Sequence, residues 1–160
     1  MRRVRRADVT PATTSTTTSV TPGSAPISCL GKFGDICAGS PTLGEPLPYW
    51  KSKARLTWTT PLHGLQASLD WRYIGGVNID SGATGSADDH IPSYSYFDLS
   101  AQYRVKDRYT FRIGVNNIFD IQPPLIGAGE IPATVGNGNT FPQVYDALGR
   151  YLFMGVTADF

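Results

Sequence analysis

The stretch YLFMGVTADF, residues 151–160, alternates without a break. Leu152, Met154, Val156, Ala158 and Phe160 fall on one side and Tyr151, Phe153, Gly155, Thr157 and Asp159 on the other. A period of two is that of a β-strand, whose side chains point in turn to opposite faces. A chain end frays unless something ties it down, so an apolar strand running to a final aromatic residue predicts a sheet that closes on itself, a barrel.

The same alternation recurs upstream. Ala54, Leu56 and Trp58 oppose Lys53, Arg55, Thr57 and Thr59, and Pro61-Leu62-His63-Gly64 then reads as a tight turn. In the run from Leu65 to Val77, Leu65, Ala67, Leu69, Trp71 and Tyr73 oppose Gln66, Ser68, Asp70 and Arg72. From Tyr96 to Lys106, Phe97, Leu99, Ala101, Tyr103 and Val105 oppose Asp98, Ser100, Gln102, Arg104 and Lys106. From Tyr109 to Asn117, Tyr109, Phe111, Ile113 and Val115 oppose Thr110, Arg112, Gly114 and Asn116. The fold class is therefore all-β, an antiparallel up-and-down meander of about five long strands.

The connections are short, long, short, long: about four residues at 61–64, about eighteen at 78–95, about two at 107–108 and about thirty at 119–149. This puts every long loop at one end of the meander, the layout of outer-membrane barrels with short turns on one side and long loops on the other. Strands of about ten to thirteen residues suit a tilted membrane crossing better than the mode of about five or six in soluble sheets. Trp58, Tyr73, Tyr96, Phe97 and Tyr109 lie near strand ends, where aromatic rings settle at lipid–water interfaces. No apolar run of about eighteen residues exists, so no transmembrane helix is expected, and a barrel is expected to hide from that criterion.

Composition excludes less. The chain is 41% hydrophobic and 17% charged with net charge +1, and its one dense basic run is Arg2, Arg3, Arg5 and Arg6, so no nucleic-acid partner is expected. Residues 1–26, rich in Thr, Ser and Pro, have too little apolar surface to offset ordering entropy and read as a disordered tail. MRRVRR is not followed by an apolar segment, so no signal peptide is visible. Residues 27–49 read as a long extracellular-type loop, and 50–160 as the barrel strands. Cys29 and Cys37 in that loop are either a small disulfide or two unrelated thiols; the loop context favours the disulfide. No metal site is expected, because His63 and His90 stand apart and Asp88-Asp89-His90 reads as loop surface. No cofactor is expected either, Gly136-Asn137-Gly138 being turn chemistry with no helix after it.

Three segments together resemble a known family. They are Phe97-Asp98-Leu99-Ser100 leading a strand, Gly114-Val115-Asn116-Asn117-Ile118-Phe119-Asp120 followed by Pro123-Pro124, and Tyr145-Asp146-Ala147-Leu148-Gly149-Arg150 opening a strand that ends in Phe160. Their order and spacing are similar to the C-terminal end of TonB-dependent outer-membrane receptors. Cys29 to Cys37, Pro48-Tyr49-Trp50-Lys51 and Trp71-Arg72-Tyr73-Ile74-Gly75 resemble the barrel of members that carry a cysteine-bracketed extracellular loop. The resemblance implies that Leu152, Met154, Val156, Ala158 and Phe160 form the signal read by the barrel assembly machinery. It also implies a plug domain, a TonB-contacting motif and a barrel of about 22 strands, of which this sequence carries about five.

The expectation is thus a partial transmembrane β-barrel. It would be the C-terminal fragment of a receptor that takes up an iron–siderophore, a vitamin or an oligosaccharide, and it would not transport alone. Its partners would be outer-membrane lipid, the assembly machinery and the missing plug and strands, with the Gram-negative outer membrane as its location. Arg55, Asp70, Arg72, Asp98, Gln102, Arg104, Arg112 and Asn116 would face the lumen, and loops 78–95 and 119–149 would help form the outer vestibule. A soluble, secreted β-sandwich binding module is the alternative, and no enzymatic nucleophile, acid or base stands in a recognisable motif.

Overall fold

The computed structural model describes residues 7–8, 17–18, 27–34, 36–37, 44–80, 89–106, 108–127 and 139–159. Its elements are β1 (Ala7–Asp8), β2 (Thr17–Thr18), β3 (Ile27–Ser28), β4 (Lys32–Phe33), β5 (Lys51–Thr59), β6 (Leu65–Ile74), β7 (Val77–Ile79), β8 (His90–Ile91), β9 (Tyr94–Val105), β10 (Tyr109–Asn116) and β11 (Tyr151–Ala158). The main sheet runs β1-β5-β6-β9-β10-β11 with every pairing antiparallel, so its five long strands follow chain order as an open meander. Two smaller sheets, β2-β3 and β4-β7-β8, lie outside it. Most of the tail expected to be disordered, 1–26, lies outside the described residues; of the rest, Ala7–Asp8 pairs with Lys53 and Ala54.

Register aligns the apolar positions into rows across the strands. Leu56, Leu69, Leu99, Val115 and Leu152 are successive partners, as are Trp58, Ala67, Ala101, Ile113 and Met154. These rows are exposed: Met154 is 84% accessible, Leu152 75% and Ile113 57%. The opposite, polar face carries the residues expected to face a lumen, and there Asp70 is only 7% accessible. Soluble sheets show the reverse order, apolar in and polar out. Phe160 lies outside the described residues.

Short turns join the strands at one end. At the first, Thr60 N–H donates to Leu65 O at 3.1 Å, and Gly64 has φ +83°. A Cβ on Gly64 would strike the carbonyl oxygen of Arg104, whose own N–H donates to Gly64 O at 2.8 Å, so only glycine lets the turn sit against β9. Gly114 on β10 is another close approach: the ring of Phe153 on β11 lies over it, and an added Cβ would overlap that ring and come 2.9 Å from Leu99 O. An aromatic residue covering a strand glycine pins the register of the pair.

The structure departs from the sequence reading at the loop end. The run expected to continue to Val77 stops at Ile74; after Gly75-Gly76, β7 leaves the main sheet and pairs in parallel with β4 and antiparallel with β8. Glycine weakens strand continuation, and Val77, fully buried, is drawn into a core elsewhere. The long connections therefore contain strands and a core rather than surface loop alone. Tyr96 is also not an interfacial aromatic: its position in β9 turns it to the polar face, where it is fully buried. Trp58 and Tyr109 do stand exposed on the apolar face.

Candidate functional site

The polar face of the wall is built around like charges. Asp70 on β6 and Asp98 on β9 are direct cross-strand partners, an arrangement that is destabilising unless each charge is answered. Each has an arginine. Arg55 on β5 donates from Nε to Asp70 Oδ1 at 2.6 Å and from Nη2 to Oδ2 at 2.9 Å. Arg72 on β6 donates from Nε to Asp98 Oδ2 at 3.1 Å and from Nη2 to Asp98 Oδ1 at 3.3 Å.

Arg72 also reaches out of the sheet. Its Nη1 and Nη2 donate to Asp146 Oδ1 and Oδ2 at 3.0 and 2.6 Å, and its guanidinium lies 5.1 Å from the centre of the Tyr96 ring. A planar fork suits this double pairing, since it offers two carboxylates separate edges. A cavity of about 340 Å³ opens over the cluster, lined by Lys53, Arg55, Asp70, Arg72, Asp98, Ser100, Asn116, Asp146, Tyr151 and Phe153. A second, of about 350 Å³, is lined by Gln66, Ser68, Ser100, Gln102 and Phe153 with the two cations Arg55 and Arg112 and no carboxylate.

The last long loop is fastened at its base. Asn117 has φ +51° and is fully buried. Its backbone N–H donates to Asp98 Oδ1 at 2.8 Å, its Nδ2 donates to Ile121 O at 2.9 Å, and its Oδ1 accepts from Ile121 N at 2.9 Å. Asp120 Oδ1 accepts from Arg150 N–H at 2.8 Å, joining positions 30 residues apart. Holding the two ends of such a loop together offsets its closure entropy locally. A continuous chain of contacts thus runs Ile121, Asn117, Asp98, Arg72, Asp146.

Above the wall the long connections pack into a cap. Its core is Phe33, Ile74, Val77, Ile91, Tyr96, Ile126, Phe141 and Tyr145, drawn from the segment before β5, the β6–β9 and β10–β11 connections, and the adjoining ends of β6 (Ile74) and β9 (Tyr96). Phe33 meets Phe141 edge-on at 5.9 Å, and Tyr94 meets Tyr145 at 5.0 Å. Cys29 and Cys37 are joined as a disulfide with Cα atoms 5.8 Å apart, both buried. Cys37 N–H donates to Asp80 Oδ2 at 2.6 Å, while Asp80 N–H donates to Phe33 O at 2.8 Å.

Of the residues expected on the lumen side, the structure gathers Arg55, Asp70, Arg72, Asp98 and Asn116 around one cavity and places Gln102 and Arg112 at the other. Asp146 was not among them; the signal that could have found it is its place in the Tyr145–Arg150 segment. The strand Leu152, Met154, Val156 and Ala158 lies on the apolar face, its partners across β10 being Val115, Ile113, Phe111 and Tyr109. His90 Nδ1 lies 2.8 Å from Asn78 Oδ1, and among the described residues no three His, Cys, Asp or Glu side chains are grouped to hold a metal.

A family model described as TonB dependent receptor-like, beta-barrel, matches residues 14–118. The match ends at β10, so the Tyr145–Arg150 segment and β11 lie beyond it. The ferric enterobactin receptor of Pseudomonas aeruginosa is 26% identical, over 63% of this chain and 16% of that protein. A crystal structure of a mutant of the ferric enterobactin receptor from the same species shares the fold, with a TM-score of 0.50 at 22% identity, covering 71% of this chain and 16% of that one. The chain therefore spans only 16% of the length of the relatives it matches. With about two thirds of its length matched by the family model, this chain belongs to the TonB-dependent receptor-like β-barrel family.

Proposed function

We propose that the chain forms five neighbouring wall strands from the C-terminal end of an outer-membrane uptake receptor, in the Gram-negative outer membrane. The apolar rows face lipid, the polar face lines the lumen against a plug, and the cap forms part of the outer vestibule. The parent receptor's ligand is of the iron–siderophore class, a reading supported by the ferric enterobactin receptor to which the chain is similar; a vitamin or an oligosaccharide is the wider class. The single observation that carries the proposal is the inverted burial of the main sheet, with Met154 and Leu152 exposed and Asp70 buried.

Alone, the chain does not transport. The open edge of β11, and that of β5 beyond its two-residue pairing with β1, leave backbone donors and acceptors that lipid cannot satisfy, and a barrel removes them only by closing. The alternate residues Leu152, Met154, Val156, Ala158 and Phe160 serve as the address for the barrel assembly machinery. Nothing among the described residues covers the apolar rows, which counts against a soluble sandwich.

Fractionation tests the proposal. Expressed with an export signal, the chain is expected in the detergent-extracted outer-membrane fraction or in aggregates. Recovery as a monodisperse, water-soluble monomer would refute it. Grafting the chain in place of the corresponding strands of a working siderophore receptor is expected to preserve assembly, and replacing Phe160 with Ser in that graft should lower the assembled yield.

A further inference from the structure

The cap is held by a strand too short to hold anything by itself. β4 has two residues and pairs with β7 at Lys32↔Asn78 and Phe33↔Ile79, yet it carries the fully buried ring of Phe33 into contact with Phe141 of the last long loop. Pairing of this length is marginal in water. What fixes it is the bracket around it. Cys29 and Cys37 close a small ring on either side of Phe33, and Asp80 is gripped twice by that ring, through Cys37 N–H at 2.6 Å and through Phe33 O at 2.8 Å. Asn78 N–H donates in turn to Gly31 O at 2.9 Å. None of these contacts reaches the wall, whose register is set by its own long ladders.

We propose that the Cys29–Cys37 disulfide is a redox clamp on the cap. Oxidised, it holds Phe33 in the core and so fixes the β6–β9 and β10–β11 connections against each other. A dithiol reductant delivers two electrons and two protons, breaks the S–S bond to give two cysteine thiols, and leaves as its own cyclic disulfide. Phe33 is then free to leave the core and the connections loosen, while the main sheet stays as it is. That this would open a route for a ligand rests on the vestibule reading above; the loosening itself does not.

Hydrogen exchange on the full chain in detergent micelles, with and without dithiothreitol, tests the clamp, with Cys29→Ser/Cys37→Ser as a second route to the same state. On reduction the amides of Asn78, Ile79 and Asp80 are expected to exchange on the order of 10- to 100-fold faster. Amides in the middle of β9 and β10 should change less than about twofold, since they belong to a separate cooperative unit. Both sulfurs are buried, so reduction of the native chain should be slow and should follow the rate of cap opening. Unchanged protection at 78–80 after a thiol count shows both cysteines reduced would overturn the proposal. So would equal acceleration in cap and sheet. The readout stands whether or not the chain partitions into membranes, so the two proposals fail separately.

Discussion

Replacing Arg72 with Met removes the side chain that pairs charges between wall and cap. Four charge-assisted hydrogen bonds are lost, two to Asp98 and two to Asp146. The carboxylates left behind are 17% and 21% exposed, so water answers them only in part. Stripping one partner from a fully buried pair costs about 3–5 kcal/mol. Here Arg72 is itself 29% exposed and Asp98 keeps the Asn117 N–H, which brings the expected loss to about 2–3 kcal/mol. Urea unfolding in detergent micelles, followed by the emission of the adjacent Trp71, measures it. A double-mutant cycle with Asp146→Asn should show a coupling of about 1–2 kcal/mol. Arg72→Lys should recover less than half the loss, because an ammonium cannot fork between two carboxylates. Arg72→Met within about 0.5 kcal/mol of the parent, or strict additivity with Asp146→Asn, would refute the reasoning.

Three further outcomes are expected. Gly114→Val forces a side chain into the Phe153 ring and toward Leu99 O, and should lower stability in the same urea assay by about 2–3 kcal/mol; Phe153→Ala in that background should restore part of it. Met154→Arg places a charge on the apolar face and should reduce insertion into lipid vesicles by about 2–4 kcal/mol if the site lies near the bilayer centre, measured by flotation, whereas Thr157→Arg on the polar face should insert normally. Tyr145→Phe removes a buried hydroxyl that has no partner among the described residues and should leave cap stability unchanged or slightly higher. Burial also pushes the Tyr145 hydroxyl up, so the parent's cap stability should be intact below about pH 10 and fall above it as the unfolded chain ionises; hydrogen exchange across pH should show a shallower fall in the Phe variant.

The wall was legible because its rule is local. Alternation along each run fixes which residues share a face, and Leu56, Leu69, Leu99, Val115 and Leu152 fall into one row as soon as the short turns set the register. The exposure of that row could also be argued beforehand, from loops that are long at one end only. The boundary at Ile74 was less visible, because Val77 continues the alternation and only the pairing of its strand, with β4 on one side and through Val77↔Ile91 with β8 on the other, removes it from the sheet. Asp146 was invisible as an ion-pair partner for the same reason: it meets Arg72 across 74 positions of sequence.

The location of the core follows from the use made of the wall. A sheet that turns its apolar face to lipid gains nothing from burying that face in protein, and its polar face can be held only by paired charges such as Arg55–Asp70 and Arg72–Asp98. Most of the protein-like hydrophobic core therefore comes from elsewhere: Phe33, Val77, Ile91, Ile126, Phe141 and Tyr145 are outside the main strands, and only Ile74 and Tyr96 join them from the ends of β6 and β9. A loop core of that size has little surface to bury, which is why a disulfide brackets Phe33 and why Arg72 and Asn117 tie the cap to the wall beneath. Cap and wall are thus stabilised by different physics, crosslink and aromatic packing above, strand ladders and paired charges below. Reduction and urea should act first on the one, and charge on the apolar face on the other.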